Sequence, residues 1–178
     1  MIGVYPGSFN PIHSGHLNIL KRSLDYFDMV TLLIADNPSK QYSLSSAERA
    51  KVAKQMITKL GLHTYGFSVK VDILPPNKLL KDWCIENETH TIIKGLRNGA
   101  DLDSEMTQEW YTKKMNENVE TIYFSTNEKY KYLSSSSIKA LTKMNKQDFI
   151  NYMKKIAYID GMSEERMNDY LWTIHDVY

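Results

Sequence analysis

The sequence predicts an α/β fold, a parallel sheet with helices packed on both faces. Three observations predict it. Short apolar runs alternate with stretches of helical periodicity along the first 141 residues. Proline, glycine and asparagine punctuate the joins between them. The chain has 178 residues, of which 42% are hydrophobic, enough for one domain with a sizeable core.

Ile2–Tyr5 is an apolar run ended by Pro6-Gly7 and reads as a buried first strand. From Gly15 the period changes, with Leu17, Leu20, Leu24 and Phe27 at helical spacing. Met29–Ala35 is a second strand, ended by Asn37-Pro38-Ser39. Ser45 and Glu48 match a capping box, which starts a helix running to about Leu60. Phe67–Leu74 alternates as a strand does, and Pro75-Pro76-Asn77 opens a helix through Trp83 and Ile85. Thr91-Ile92-Ile93 is a short strand, Asp101 to Met115 a charged helix, and Val119–Phe124 the last strand. Ser134–Ser137 leads into a short helix carrying Ile138 and Leu141. Residues 1–144 therefore read as one domain. Residues 145–178, with Phe149, Met153 and Ile156 and then Met167, Leu171 and Ile174 at helical spacing, read as a helical extension packed on it.

Composition narrows the function. Lys plus Arg number 22 against 21 Asp plus Glu, so the basic excess of a general nucleic-acid binder is missing. The one cysteine, Cys84, sits in an apolar run and reads as a buried structural thiol. No apolar run is long enough to span a membrane, and the N-terminus lacks the pattern of a signal peptide, so a cytoplasmic protein is expected.

In a parallel sheet of this kind ligands bind at the carboxyl ends of strands, near the switch in strand order. The loop after the first strand carries the strongest signal: Gly7-Ser8-Phe9-Asn10-Pro11-Ile12-His13-Ser14-Gly15-His16. Its glycines allow close backbone approach, and the helix that starts near Ser14 offers unpaired N–H groups and a positive dipole end. His13 and His16 would face the same spot, and no cysteine or carboxylate cluster nearby completes a metal site. After the second strand comes Asn37-Pro38-Ser39-Lys40, whose lysine can reach a phosphate. After the fourth comes Lys94-Gly95-Leu96-Arg97, a glycine flanked by two cations. Asp101, Asp103 and Glu105 follow, either to hold a ribose hydroxyl or an amine or to favour the helix N-terminus. Ser134-Ser135-Ser136-Ser137 lies at a helix start and reads as a second phosphate cradle.

His13-Ser14-Gly15-His16 matches the H-x-G-H signature of the Rossmann-like nucleotidyltransferases, while neither G-x-x-x-x-G-K-[ST] nor G-x-G-x-x-G occurs. With Tyr5-Pro6-Gly7-Ser8-Phe9, Asn37-Pro38-Ser39-Lys40, Gly95-Leu96-Arg97, Glu105 and Leu133-Ser134-Ser135-Ser136, the chain resembles the phosphopantetheine adenylyltransferase family from about Ile2 to Leu141. The resemblance implies that Ser8, Phe9, His16, Gly95, Leu96, Arg97, Glu105, Tyr130, Leu133, Ser134, Ser135 and Ser136 meet ATP. It implies that Ser8, Lys40, Leu80 and Lys94 meet the acceptor, and that His16 stabilises the transition state. His13, Lys40 and Arg97 suit the same charge-stabilising work. The implied partners are ATP, with Mg²⁺ carried mainly on its phosphates, and a small phosphorylated acceptor; a homo-oligomer is expected.

Departures from the family pattern fall on the acceptor side. Lys94 stands where the family has arginine, Ser104 where it has tyrosine, and Thr107, Gln108 and Thr112 where it has Gln, Leu and Asn; Asn10 replaces an aspartate. The loop from Ser8 to His13 is also similar to the nicotinate mononucleotide adenylyltransferases. 4'-Phosphopantetheine is the expected acceptor, a pyridine mononucleotide the alternative, and a non-catalytic nucleotide-binding protein the third reading.

Overall fold

The computed structural model describes residues 1–62 and 68–178. Five strands, β1 (Ile2–Gly7), β2 (Met29–Ile34), β3 (Ser68–Ile73), β4 (Thr91–Leu96) and β5 (Glu120–Ser125), form one parallel sheet in the order β3-β2-β1-β4-β5. Among the described residues seven α-helices accompany them: α1 (Ser14–Ser23), α2 (Ser46–Lys59), α3 (Leu80–Glu86), α4 (Gly99–Met115), α5 (Ser135–Leu141), α6 (Lys146–Ile156) and α7 (Glu164–Val177). This is a Rossmann-like α/β fold. None of the described helices is long and apolar enough to cross a membrane.

Successive strand residues point to opposite faces of a sheet, and the core divides accordingly. Val4, Leu33 and Ile92 join Trp83, Cys84 and Val119 in a smaller cluster beneath α3. Their neighbours Tyr5, Leu32 and Ile93 join the larger cluster with Leu17 and Leu20 of α1 and Ala53 and Met56 of α2. Both faces are thus covered. Cys84 is fully buried, and burial pushes its thiol up to about 11.

Local chemistry fixes several boundaries. Ser45 caps α2, its hydroxyl accepting from the Glu48 N–H at 3.3 Å while the Ser45 N–H donates to the Glu48 carboxylate at 2.8 Å. Elsewhere the elements differ from expectation. α1 stops at Ser23, so Leu24 and Phe27 are buried from the turn beyond it. The chain before Leu79 is loop, and α3 begins only at Leu80. α4 begins two residues early because Asn98 caps it, accepting from the Asp101 N–H. β4 is twice the expected length, running through Lys94, Gly95 and Leu96, because these pair with Tyr123, Phe124 and Ser125 of β5. Phe67 lies outside the described residues.

α6 and α7 bury Phe149, Ile150, Met153, Met167, Tyr170, Leu171 and Ile174 in the larger cluster. Polar links then tie this region to the first loop. The Tyr170 hydroxyl donates to the Ile12 carbonyl at 3.2 Å, and the Ser14 hydroxyl to the Ala157 carbonyl.

Candidate active site

The strand order reverses between β1 and β4: β2 and β3 lie to one side, β5 to the other. β1 and β4 are registered at Val4↔Ile92, and Pro6 has no N–H with which to continue a ladder. A cavity of about 540 Å³ opens at the carboxyl ends of these two strands.

The β1–α1 loop forms its floor. Phe9 adopts a left-handed backbone, φ 44°, which a bulky residue takes only where its surroundings hold it. Its ring is set edge-on against Tyr5 at 5.4 Å and against His16 at 5.0 Å. His13 and His16 stack at 3.7 Å between ring centroids. A Cβ on Gly15 would lie 3.1 Å from the His13 ring, so glycine leaves room for that imidazole. The His13 N–H donates to His16 Nδ1 at 3.2 Å. That bond makes Nδ1 an acceptor and assigns the His16 proton to Nε2.

Both imidazoles are uncharged. Burial, the neighbouring His16 and Arg97 hold His13 well below the usual imidazole range. Burial, Arg97 and Lys40 lower His16 to about 3. His16 is therefore a neutral donor at its Nε2 rather than a cation. A stability consequence follows from the sign of these shifts. Below about pH 6.5 the unfolded chain takes up protons that the native histidines refuse, so stability falls with pH, by at most about 1.4 kcal/mol per pH unit for each group. For His16 the figure is smaller, because that ring opens onto the cavity. The melting temperature is expected to drop from pH 7 to pH 5, and to drop less in His16→Gln. Equal drops in both proteins would contradict the assignment.

The cleft gathers Ser8, Phe9, His13, His16, Lys40, Lys94, Gly95, Arg97, Glu105, Tyr130, Leu133, Ser134, Ser135 and Ser136. Two expected residues fall outside it. Leu80 starts α3 and packs against the smaller core cluster, and Leu96 ends β4 without lining the cavity. Lys94 and Gly95 belong to a strand, not a loop. A Cβ on Gly95 would meet Ile19 at 3.1 Å, so its glycine serves the packing of α1 on the sheet. Lys94 pairs with Glu105 at 2.7 Å, and Arg97 forks onto Asp101 with bonds of 2.9 and 3.0 Å. The serine hydroxyls are partly engaged too. Ser134 caps the Ser137 N–H at 3.1 Å, and Ser135 donates to the Pro11 carbonyl at 2.9 Å. What this helix start offers the cleft is the N–H groups of Ser135 and Ser136, which have no partner within α5. The Tyr130 hydroxyl is occupied by the Tyr158 carbonyl at 2.7 Å, leaving its ring to border the site.

Asp103, Ser104, Thr107 and Gln108 are exposed and do not line the cavity. The Thr107 and Thr112 hydroxyls donate back to the carbonyls of Asp103 and Gln108 in their own helix. Sequence reasoning missed Gln41, Tyr42, Thr126 and Lys139 as cleft residues. Lys139 had a usable signal, one helical turn after Ser135 in the serine run. Among the described residues no three His, Cys, Asp or Glu side chains converge as a metal cage.

Residues 4–141 match the Cytidylyltransferase-like family. The chain is 34% identical to the phosphopantetheine adenylyltransferase of Alkaliphilus metalliredigens, over 92% of this chain and 98% of that one. It is 38% identical to that of Fusobacterium nucleatum, over 93% and 96%. The chain belongs to the phosphopantetheine adenylyltransferase family. Among solved structures, nicotinic acid mononucleotide adenylyltransferase of Plasmodium falciparum superposes with TM-score 0.60 at 17% identity, over 99% of this chain and 98% of that one. A Francisella tularensis enzyme described as a bifunctional NMN adenylyltransferase/ADP ribose pyrophosphatase, with AMP and a Mn ion, superposes at 0.59 and 18% over 98% of this chain and 49% of that one. At such identities these two share the fold with the phosphopantetheine adenylyltransferase family and say nothing of its acceptor.

Proposed function

We propose that this protein transfers the adenylyl group of ATP to 4'-phosphopantetheine, giving dephospho-CoA and pyrophosphate. The observation that carries the reading is one cleft holding a neutral His16 donor, the N-terminus of α1, and Lys40, Lys94 and Arg97. It is supported by family membership at 34% and 38% identity over nearly the whole chain. The acceptor phosphate is already an anionic nucleophile, so no strong base is needed. One of its oxygens bonds to the α-phosphorus as the bond from that phosphorus to the β-phosphate oxygen breaks, and pyrophosphate leaves with the electron pair. Catalysis then consists of positioning and of stabilising charge on phosphate oxygens. His16 Nε2–H and the α1 N–H groups serve the α-phosphate. Arg97, Ser135 and Ser136 serve the rest of the nucleotide, and Lys40 and Lys94 the acceptor phosphate. His13, buried and stacked on His16, borders the same cleft. Mg²⁺ carried on the ATP phosphates would shield their charge, since both cleft carboxylates, Asp101 and Glu105, are paired with Arg97 and Lys94.

Of the features that favour a pyridine mononucleotide acceptor, Thr107 and Gln108 do not line the cavity, while the Ser8–His13 loop and Lys94 do. Residues 1–144 constitute the catalytic domain and residues 145–178 its extension. The protein works in a reducing cytoplasm, in keeping with its single unpaired thiol. Self-association is supported by α4, which buries none of its residues and leaves Met106, Trp110, Tyr111 and Met115 exposed. Incubation with Mg²⁺–ATP is expected to yield dephospho-CoA from phosphopantetheine and no dinucleotide from nicotinate mononucleotide. The reverse pattern would overturn the choice of acceptor and leave adenylyl transfer standing.

A further inference from the structure

Arg49, near the start of α2, is the largest fully buried side chain among the described residues, with 1% of its surface exposed. A buried charge adds little stability over a well-packed apolar side chain, and the carboxylate beside it, Asp36, is half exposed. The distinctive property of this guanidinium is where its donors go. Nη2 pairs with Asp36, just past β2, and Nε donates to the Leu44 carbonyl at 3.3 Å, just before α2. These two partners bracket the loop that carries Lys40. Nη1 donates at 2.6 Å to the carbonyl of Ser8, in the other loop of the cleft. The Tyr42 ring lies 4.4 Å from the guanidinium carbon, and the Tyr42 hydroxyl accepts from the Asn37 N–H at 2.7 Å. One planar fork therefore fastens the two loops just beyond the last backbone bond between them, from the Ala35 N–H to the Gly7 carbonyl at 2.9 Å. The residue after Ser8 is Phe9, in its left-handed conformation with its ring on His16.

We propose that Arg49 is a positioning residue for adenylyl transfer, its buried guanidinium clamping the β1–α1 loop to the β2–α2 loop so that Phe9 is held against His16 and Lys40 faces the cleft. The role in turnover rests on the function proposed above; the clamp itself does not. The test uses the full-length protein and Arg49→Lys, which keeps the charge and loses the fork. In the absence of ligand, the side-chain NMR signals of His13 and His16 are expected to shift while those of His90 and His175 stay in place. With Mg²⁺–ATP and phosphopantetheine, kcat is expected to fall about tenfold or more, because small misplacements of catalytic groups cost up to about a hundredfold. Combined with Phe9→Leu, the two losses should be less than additive, as for residues acting through one contact. Unmoved His13 and His16 signals overturn the clamp, and strictly additive losses overturn its action through Phe9. Should Arg49→Lys fail to fold, Asp36→Asn loosens the same fork from its exposed end and is expected to move the same two histidine signals by a smaller amount; no movement there also overturns it. The NMR arm needs no substrate, so a protein that fails to adenylylate phosphopantetheine still decides the clamp.

Discussion

Replacing His16 by alanine is expected to lower kcat by on the order of a hundredfold or more while the protein stays folded. Loss of a single preorganised donor to a developing oxyanion typically has that effect. His16 is preorganised in three ways. The His13 N–H fixes its tautomer, the His13 ring stacks on one side, and Phe9 abuts it edge-on. Because the ring is neutral throughout the physiological range, its contribution is a directed hydrogen bond and not a charge. The kcat of the wild type should accordingly show no inflection near pH 6.5 that His16→Ala abolishes. With the nucleotide also held by Arg97 and the helix termini, as proposed, ATP binding should weaken far less than kcat falls. Steady-state kinetics and calorimetry on the variant check both parts, and near-normal kcat would remove His16 from the chemistry.

A chain ending at residue 144 is expected not to fold. The missing segment contributes Phe149, Ile150, Met153, Met167, Tyr170, Leu171 and Ile174 to the principal core. Burying one such side chain is worth roughly 1.5–3 kcal/mol, and the net stability of a domain is only about 5–15 kcal/mol. Removing seven exceeds the margin. The same truncation strips the Ile12 carbonyl and the Ser14 hydroxyl of their partners at the base of the catalytic loop. Circular dichroism of the truncated chain should show no cooperative thermal transition. A stable, cooperative 1–144 fragment would mean that the extension is dispensable to the core.

Legibility in the sequence followed the range of the interactions. Signals written within a few residues were readable: the Ser45–Glu48 capping box located the start of α2, and His13 and His16 marked the helix start beneath the cleft. The five strands appeared as apolar runs wherever they are buried. β4 was cut short because Lys94-Gly95 carries no strand signal of its own; pairing with β5 makes it a strand. Leu24 and Phe27 kept a helical period after the helix had ended, since a turn can bury apolar residues at the same spacing. Arg49 looked like any charged residue near a helix start. Its meaning depends on Ser8, forty-one positions earlier, reaching it across the sheet. Leu80, a position matched by sequence, packs partly buried against the smaller core cluster at the start of α3.

The two ion pairs in the cleft have a bearing on selectivity. Of its four cations, Lys40, Lys94, Arg97 and Lys139, two are answered by carboxylates of the chain itself. A monovalent anion that enters at Lys94 or Arg97 must displace Glu105 or Asp101, exchanging one pairing for another with little gain. A ligand presenting several phosphate oxygens at once can replace both carboxylates together and keep Lys40 besides. The internal carboxylates thus stand as resident competitors at two of the four cations, which favours a ligand whose phosphates span both over one that meets a single cation.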